Sequence, residues 1–173
     1  MVLKLTVGTV LLFSSWAIGY LISLKYGLRV RQIEYFISAL NSLENDIVYY
    51  SNPLPVAMKR IADRSHKSIA WVFEETWEKL NNREGNGIDE AWKQVINNNI
   101  DLLFLTGEDI EIIVDFAKEL GLGNKETQRK HFEYTKILLI QQKGKAIKEK
   151  EKNGKIFNKL GALLGLAIVI ILI

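Results

Sequence analysis

Twenty residues without a charge, "LTVGTVLLFSSWAIGYLISL", lie between Lys4 and Lys25. At ~1.5 Å rise per residue, a helix of that length spans roughly 30 Å, the thickness of one bilayer core. Lipid offers no partner for a bare peptide group, so such a run crosses a membrane only as a helix. A cleaved signal peptide is the rival reading, since "AIG" at positions 17–19 offers small residues at a suitable spacing. The apolar run nevertheless continues to Leu24, and Lys25, Arg29 and Arg31 follow at once. An uncleaved transmembrane anchor over residues 1–25 is therefore expected.

The far end repeats the pattern with "GALLGLAIVIILI" at 161–173. Counted from Leu160 the stretch has 14 residues, and roughly 21 Å is short for a span. Counted from Ile156 it has 18, or roughly 27 Å, with Asn158 and Lys159 reaching back to the headgroups. A second transmembrane helix is expected over 156–173, the terminal carboxylate serving as its polar anchor. Basic residues orient both spans alike. Lys25, Arg29 and Arg31 follow the first, and Lys143, Lys145, Lys148, Lys150, Lys152, Lys155 and Lys159 precede the second. The middle, residues 26–155, then faces the cytoplasm with both termini outside. A buried hairpin of core helices would have to hide that lysine run, which is costly.

Composition narrows the chemistry. The chain has no cysteine, which excludes disulfides, thiolate metal sites and cysteine nucleophiles. With 48% hydrophobic and 25% charged residues it is ordinary globular material. Only two prolines and few alternating stretches argue for helix nearly throughout. Charge is unevenly divided: residues 136–159 carry eight Lys against two Glu, whereas 25–135 carry 14 basic against 18 acidic residues. Such a division points to different partners for the two regions.

Apolar residues at helical spacing mark six segments between the spans. Ile33, Phe36, Ile37, Leu40, Leu43, Ile47 and Tyr50 form the first stripe, continuing from the first span after a break expected near Gly27. Asn52 is expected to cap a second helix with Pro53 and Pro55 in its first turn and Leu54, Met58 and Ile61 inward. The third carries Ile69, Val72, Phe73, Trp77 and Leu80, and the fourth Ala91, Trp92, Val95 and Ile96. Thr106 and Asp109 have capping-box spacing before a fifth, which buries Ile110, Ile113, Val114, Ala117 and Leu120 and stops at Gly121. A sixth begins near Asn124 and runs toward the second span. Short connections imply antiparallel neighbours, hence an all-α, six-helix antiparallel bundle flanked by the two spans.

Motifs for catalysis are thin. His66 and His131 are the only histidines, and neither has metal-ligand spacing. "GLG" at 121–123 follows a helix and lacks the residues of a phosphate loop. No enzymatic activity, metal, cofactor, nucleic acid or small-molecule substrate is expected; the enzyme rival is a membrane-bound hydrolase using His131 with a carboxylate. Gln128 and His131 stand three apart and share a helix face as candidates for a polar partner contact. Glu108, Glu111, Asp115 and Glu119 step by three, four and four along one side of the fifth helix. Stacked carboxylates repel, so a cationic partner would relieve them, and this stripe is the principal partner-binding candidate. Lys145, Lys148, Lys152, Lys155 and Lys159 likewise step by three and four, forming a face for an anionic leaflet. Gly161 and Gly165 form GxxxG, one heptad after Gly154, with Gly8, Ser15 and Gly19 as a counterpart stripe for close helix packing.

Three stretches together resemble a known family. "LENDIVYYSNPLP" (43–55), "ELGLGNKETQRKHFE" (119–133) and "EKEKNGKIFNKLGALLGLAIVIILI" (149–173) are similar to the stage III sporulation protein AB family of endospore-forming bacteria, in order and across the whole chain. Asn124 stands where that family leads one to expect Asp; both residues cap helices. The resemblance implies a cytoplasmic domain like that of the type II secretion F protein. It also implies a place in the mother-cell membrane, within the channel complex between mother cell and forespore and beside a secretion-type ATPase. The expectation is a non-enzymatic platform docking the ATPase and other subunits, with self-association open. The alternative is a lipid-sensing membrane adaptor that uses the basic helix before the second span.

Overall fold

The computed structural model describes residues 2–82 and 87–154 together with 156, 163 and 167; side chains are described from residue 14 on, Trp16 excepted. Six α-helices follow one another, with no strand among the described residues: α1 (Val2–Glu44), α2 (Leu54–Arg64), α3 (Lys67–Asn81), α4 (Ile88–Asn98), α5 (Gly107–Phe116) and α6 (Lys125–Glu149). Two compact units divide the chain, Arg31–Lys143 and a second made of Met1–Val30 with Gly144–Ile173.

The unit Arg31–Lys143 closes around the stripes read from the sequence. Ile33, Phe36, Leu40 and Leu43 of α1, Met58 and Ile61 of α2, and Ile69, Val72 and Phe73 of α3 are all buried. Ala91, Trp92, Val95 and Ile96 of α4 are buried too, as are Ile113, Phe116, Ala117 and Leu120 around the end of α5. A line of rings runs through this core: Phe36 to Phe73 at 6.5 Å, Phe73 to Trp92 at 5.3 Å, Trp92 to Phe116 at 6.2 Å and Phe116 to Phe132 at 5.1 Å. Each fully buried ring contributes roughly 2–3 kcal/mol through loss of water contact alone. The indole Nε1 of Trp92 donates to the Ile113 carbonyl at 2.8 Å, satisfying a polar group that burial would otherwise strand. Gln32, itself buried, accepts from Phe104 N at 2.7 Å and donates to Leu102 O at 3.2 Å, tying the α4–α5 connection to α1.

Local details depart from the sequence reading. Helix α1 runs through Gly27 without the expected break; a lone helical glycine costs only about 1 kcal/mol, which a helix of this length absorbs. After Glu44 the chain widens into a π-helical turn, Asn45–Tyr49, closed by Tyr50 N to Asn45 O at 3.0 Å. The extra residue in that turn rotates the register. Val48 is buried in place of Ile47, and Tyr50 ends 73% exposed instead of joining the stripe. Asn52 does not cap α2, whose N-cap is Pro53. Its amide instead donates to Asp46 Oδ1 at 3.2 Å, and its backbone N–H to Asp46 O at 2.9 Å, so it is spent on closing the preceding turn. Leu54, Trp77, Leu80, Ile110 and Val114 are half-buried rather than fully inside.

In the other unit, the buried Arg29 guanidinium reaches Glu149 Oε2 at 2.5 Å. After Glu149 a second π-helical turn, Lys150–Gly154, ends at a buried glycine. A Cβ on Gly154 would lie 3.3 Å from Ser23 Oγ, so an alanine there would make the Ser23 side chain give way by a few tenths of an ångström. Gly19 is buried as well. Among the described residues, no helix is long and apolar enough to cross a membrane. Most side chains of the first expected span, and all of the second except Ile156, Leu163 and Ala167, lie outside the described residues. Lys155, Lys159, Gly161 and Gly165 are among those outside.

Candidate functional site

Helices α5 and α6 form two walls of a groove, and the ends of both are set by specific caps. Thr106 caps α5: its Oγ1 accepts from Asp109 N at 3.4 Å while the Asp109 carboxylate accepts from Thr106 N at 2.9 Å, the capping box the spacing predicts. With the register fixed, Glu108, Glu111 and Asp115 emerge exposed on one side. The helix ends at Phe116, so Glu119 belongs to a following 3₁₀ turn, Ala117–Glu119, rather than to α5 itself. Gly121 then adopts φ +83° and Gly123 φ +79°, left-handed conformations that favour glycine. Asn124 starts α6 by accepting from Thr127 N at 2.9 Å.

The turn between the walls is held by Gln128. Its side-chain amide donates to Glu119 O at 2.9 Å and to Leu122 O, and its Oε1 accepts from Gly121 N at 3.0 Å. Only 5% of Gln128 is exposed, so these bonds occupy it within the fold. His131, one turn on, is brought to a different neighbour. Its ring stacks on Phe116 at 5.3 Å with the planes 4° apart, and Nε2 lies 2.8 Å from Phe116 O. A carbonyl can only accept, so Nε2 carries the proton there. Nδ1 stands 3.3 Å from Glu119 Oε2, an ion pair when the ring is doubly protonated.

The groove has a volume of about 680 Å³. Its apolar surface comes from Ile112, Phe116, Tyr134 and Leu138, while Glu108, Glu111, Asp115 and Glu119 line the α5 side. The structure thus gathers the whole acidic stripe and His131 at one place, while Gln128 lies beneath the adjoining turn. Three of the four carboxylates have internal partners: Glu108 accepts from Gln142 at 3.0 Å, Asp115 pairs with Lys118 at 2.6 Å, and Glu119 faces His131. The hydrogen bond from Lys118 to Asp115 raises the ammonium's pKa. Among the described residues, the Glu111 side chain makes no hydrogen bond or close ion pair, though its charge acts on Lys118. Mutual repulsion along the stripe is therefore partly relieved from within.

The sequence reading left out the apolar half of this site. Thr127, His131, Tyr134, Leu138 and Gln142 recur at steps of four, three, four and four, one face of α6 that its lysines and glutamines obscure. Lys145 and Lys148 of α6 are exposed, and so is Lys152 in the π-helical turn that follows. Among the described residues no group of three or more His, Cys, Asp or Glu side chains is arranged to hold a metal.

A relative and a solved structure similar to this chain carry the same description. A curated relative, the stage III sporulation protein AB of Bacillus subtilis (strain 168), is 28% identical over 159 residues, covering 92% of each chain. A solved structure, also described as stage III sporulation protein AB, superposes with a TM-score of 0.67 at 26% identity, covering 72% of this chain and 98% of that one. The model of the stage III sporulation protein AB family matches residues 4–173, and the chain belongs to that family.

Proposed function

We propose that this chain is a non-enzymatic, membrane-held platform that acts in endospore formation. It sits in the mother-cell membrane as part of the channel complex between mother cell and forespore, with the bundle cytoplasmic. There it docks other subunits, including a secretion-type ATPase. Family membership supports the sporulation role. The observation that carries the docking role is the α5–α6 groove, an open apolar surface edged by four carboxylates outside a core that is already complete. A charged rim beside an apolar floor steers encounter and fixes register, as an assembly component requires.

The two uncharged runs supply the membrane attachment in this reading, and the lysine row that begins with Lys145 and Lys148 near the end of α6 lies along the anionic leaflet at up to ~1 kcal/mol per residue. His131 fits a structural role better than catalysis, because its Nε2 is directed at a backbone carbonyl and its ring is stacked. Co-purification from cross-linked sporulating cells tests the platform reading. Wild-type chain should retain a secretion-type ATPase, and Glu111→Lys/Asp115→Lys should lose most of it while membrane insertion is unchanged. Retention at wild-type level by that variant would remove the acidic edge from the proposal.

A further inference from the structure

We infer that the α5–α6 groove takes one particular kind of occupant: an amphipathic α-helix of a partner polypeptide, with an apolar stripe and a flanking row of Lys or Arg. The inference rests on the docking proposal and adds the partner's chemistry. Shape argues first. The lining on α6 runs from Thr127 to Gln142, roughly 22 Å at 1.5 Å per residue, so the trough accommodates about four helical turns. An extended peptide would need backbone partners from a sheet edge, and this all-helical unit presents none among the described residues.

The chemistry of the two walls differs, and that difference specifies the occupant. Ile112, Tyr134 and Leu138 present an apolar strip, which Tyr134 (62% exposed) and Ile137 (48% exposed) extend outward along α6. A helix covering it needs apolar residues at i, i+3, i+4 and i+7. Among the lining residues on the α5 side, Glu108, Glu111, Asp115 and Glu119 stand with one lysine, Lys118, which is paired with Asp115. Lys130 on the opposite wall is likewise drawn to Glu126 at 2.9 Å. Among the residues that line the groove, carboxylates outnumber lysines and stand on the α5 side, so the cations of the occupant belong on one flank of its stripe. Glu111, at the middle of the α5 wall and held there by no side-chain hydrogen bond or close ion pair among the described residues, is the natural contact for the central cation.

The test places a photo-crosslinking residue, p-benzoylphenylalanine, at Tyr134 or at Glu111 in the full chain in sporulating cells, with Glu78 on α3 as the control position. Adducts from either groove position should yield a peptide of another protein with apolar residues at helical spacing and Lys or Arg beside them. With the probe at Tyr134, adding Glu111→Lys/Asp115→Lys should lower adduct yield about tenfold. An adduct peptide lacking that pattern, one derived from this chain itself, a lipid adduct, or no adduct from either position would overturn the inference. If charge reversal still abolishes co-purification of the ATPase in that case, docking survives and only the helix-in-groove mode fails. If co-purification is also unaffected, both fail.

Discussion

Replacing Gln128 with Ala removes three hydrogen bonds between α6 and the turn at 119–122, to Glu119 O, Leu122 O and Gly121 N. At ~0.5–1.5 kcal/mol net for each, the lost bonds total somewhere between 1.5 and 4.5 kcal/mol. Gly121 and Leu122 are exposed, so water takes over part of the bonding, and a cost of about 2 kcal/mol follows. Urea unfolding of the full chain in neutral detergent, followed by tryptophan fluorescence, should show the midpoint falling by about 1 M, for a slope of ~2 kcal/mol/M. Gln128→Glu separates hydrogen bonding from side-chain size. It retains an acceptor for Gly121 N but turns a carboxylate toward two carbonyls, and it should be less stable than the Ala variant. A midpoint within about 0.2 M of wild type for Ala, or a Glu variant as stable as wild type, would refute the reasoning.

Other perturbations test the core and its supports. Trp92→Phe loses the indole bond to Ile113 O and leaves a void between Phe73 and Phe116; it should cost about 3 kcal/mol in the same urea assay. Asp46 is buried, with Oδ1 accepting from Asn52 and Arg60 and Oδ2 without a hydrogen-bond partner. Arg60→Met should therefore destabilise by about 1–2 kcal/mol, and adding Asp46→Asn should restore part of that loss, because a neutral amide tolerates the missing cation. A double variant no more stable than Arg60→Met alone would contradict this account of the π-helical turn.

What was legible in the sequence is what periodicity encodes. The stripe of α4 and the first half of that of α3 (Ile69, Val72 and Phe73) fall where the burial is, because a regular helix in contact with one core repeats its apolar residues at that spacing. The Thr106–Asp109 box was legible for the same reason: it is a local pattern with a fixed offset. The π-helical turn at Asn45–Tyr49 was not, since a single extra residue leaves no compositional mark and shows only in how Ile47, Val48 and Tyr50 divide between core and water. The acidic stripe of the groove was readable as spacing on α5, whereas its apolar wall was hidden by the lysines and glutamines of α6. Gln128 looked like a surface contact because nothing local indicates that the turn at 119–122 folds back onto it. Partners distant in space, as in the stacking of His131 on Phe116, are visible only once the helices are packed.

The central claim, that the acidic edge of this groove is how a membrane-held subunit joins its assembly, meets its most direct test in spore yield. Full-length chain carrying Glu111→Lys and Asp115→Lys should replace the wild-type copy, with its level and membrane fraction verified. Both positions are exposed, so the fold should hold. The account predicts heat-resistant spores reduced at least about tenfold at equal protein level, with recovery when a suppressor introduces Glu or Asp into the partner helix. Wild-type spore counts from that strain would contradict it.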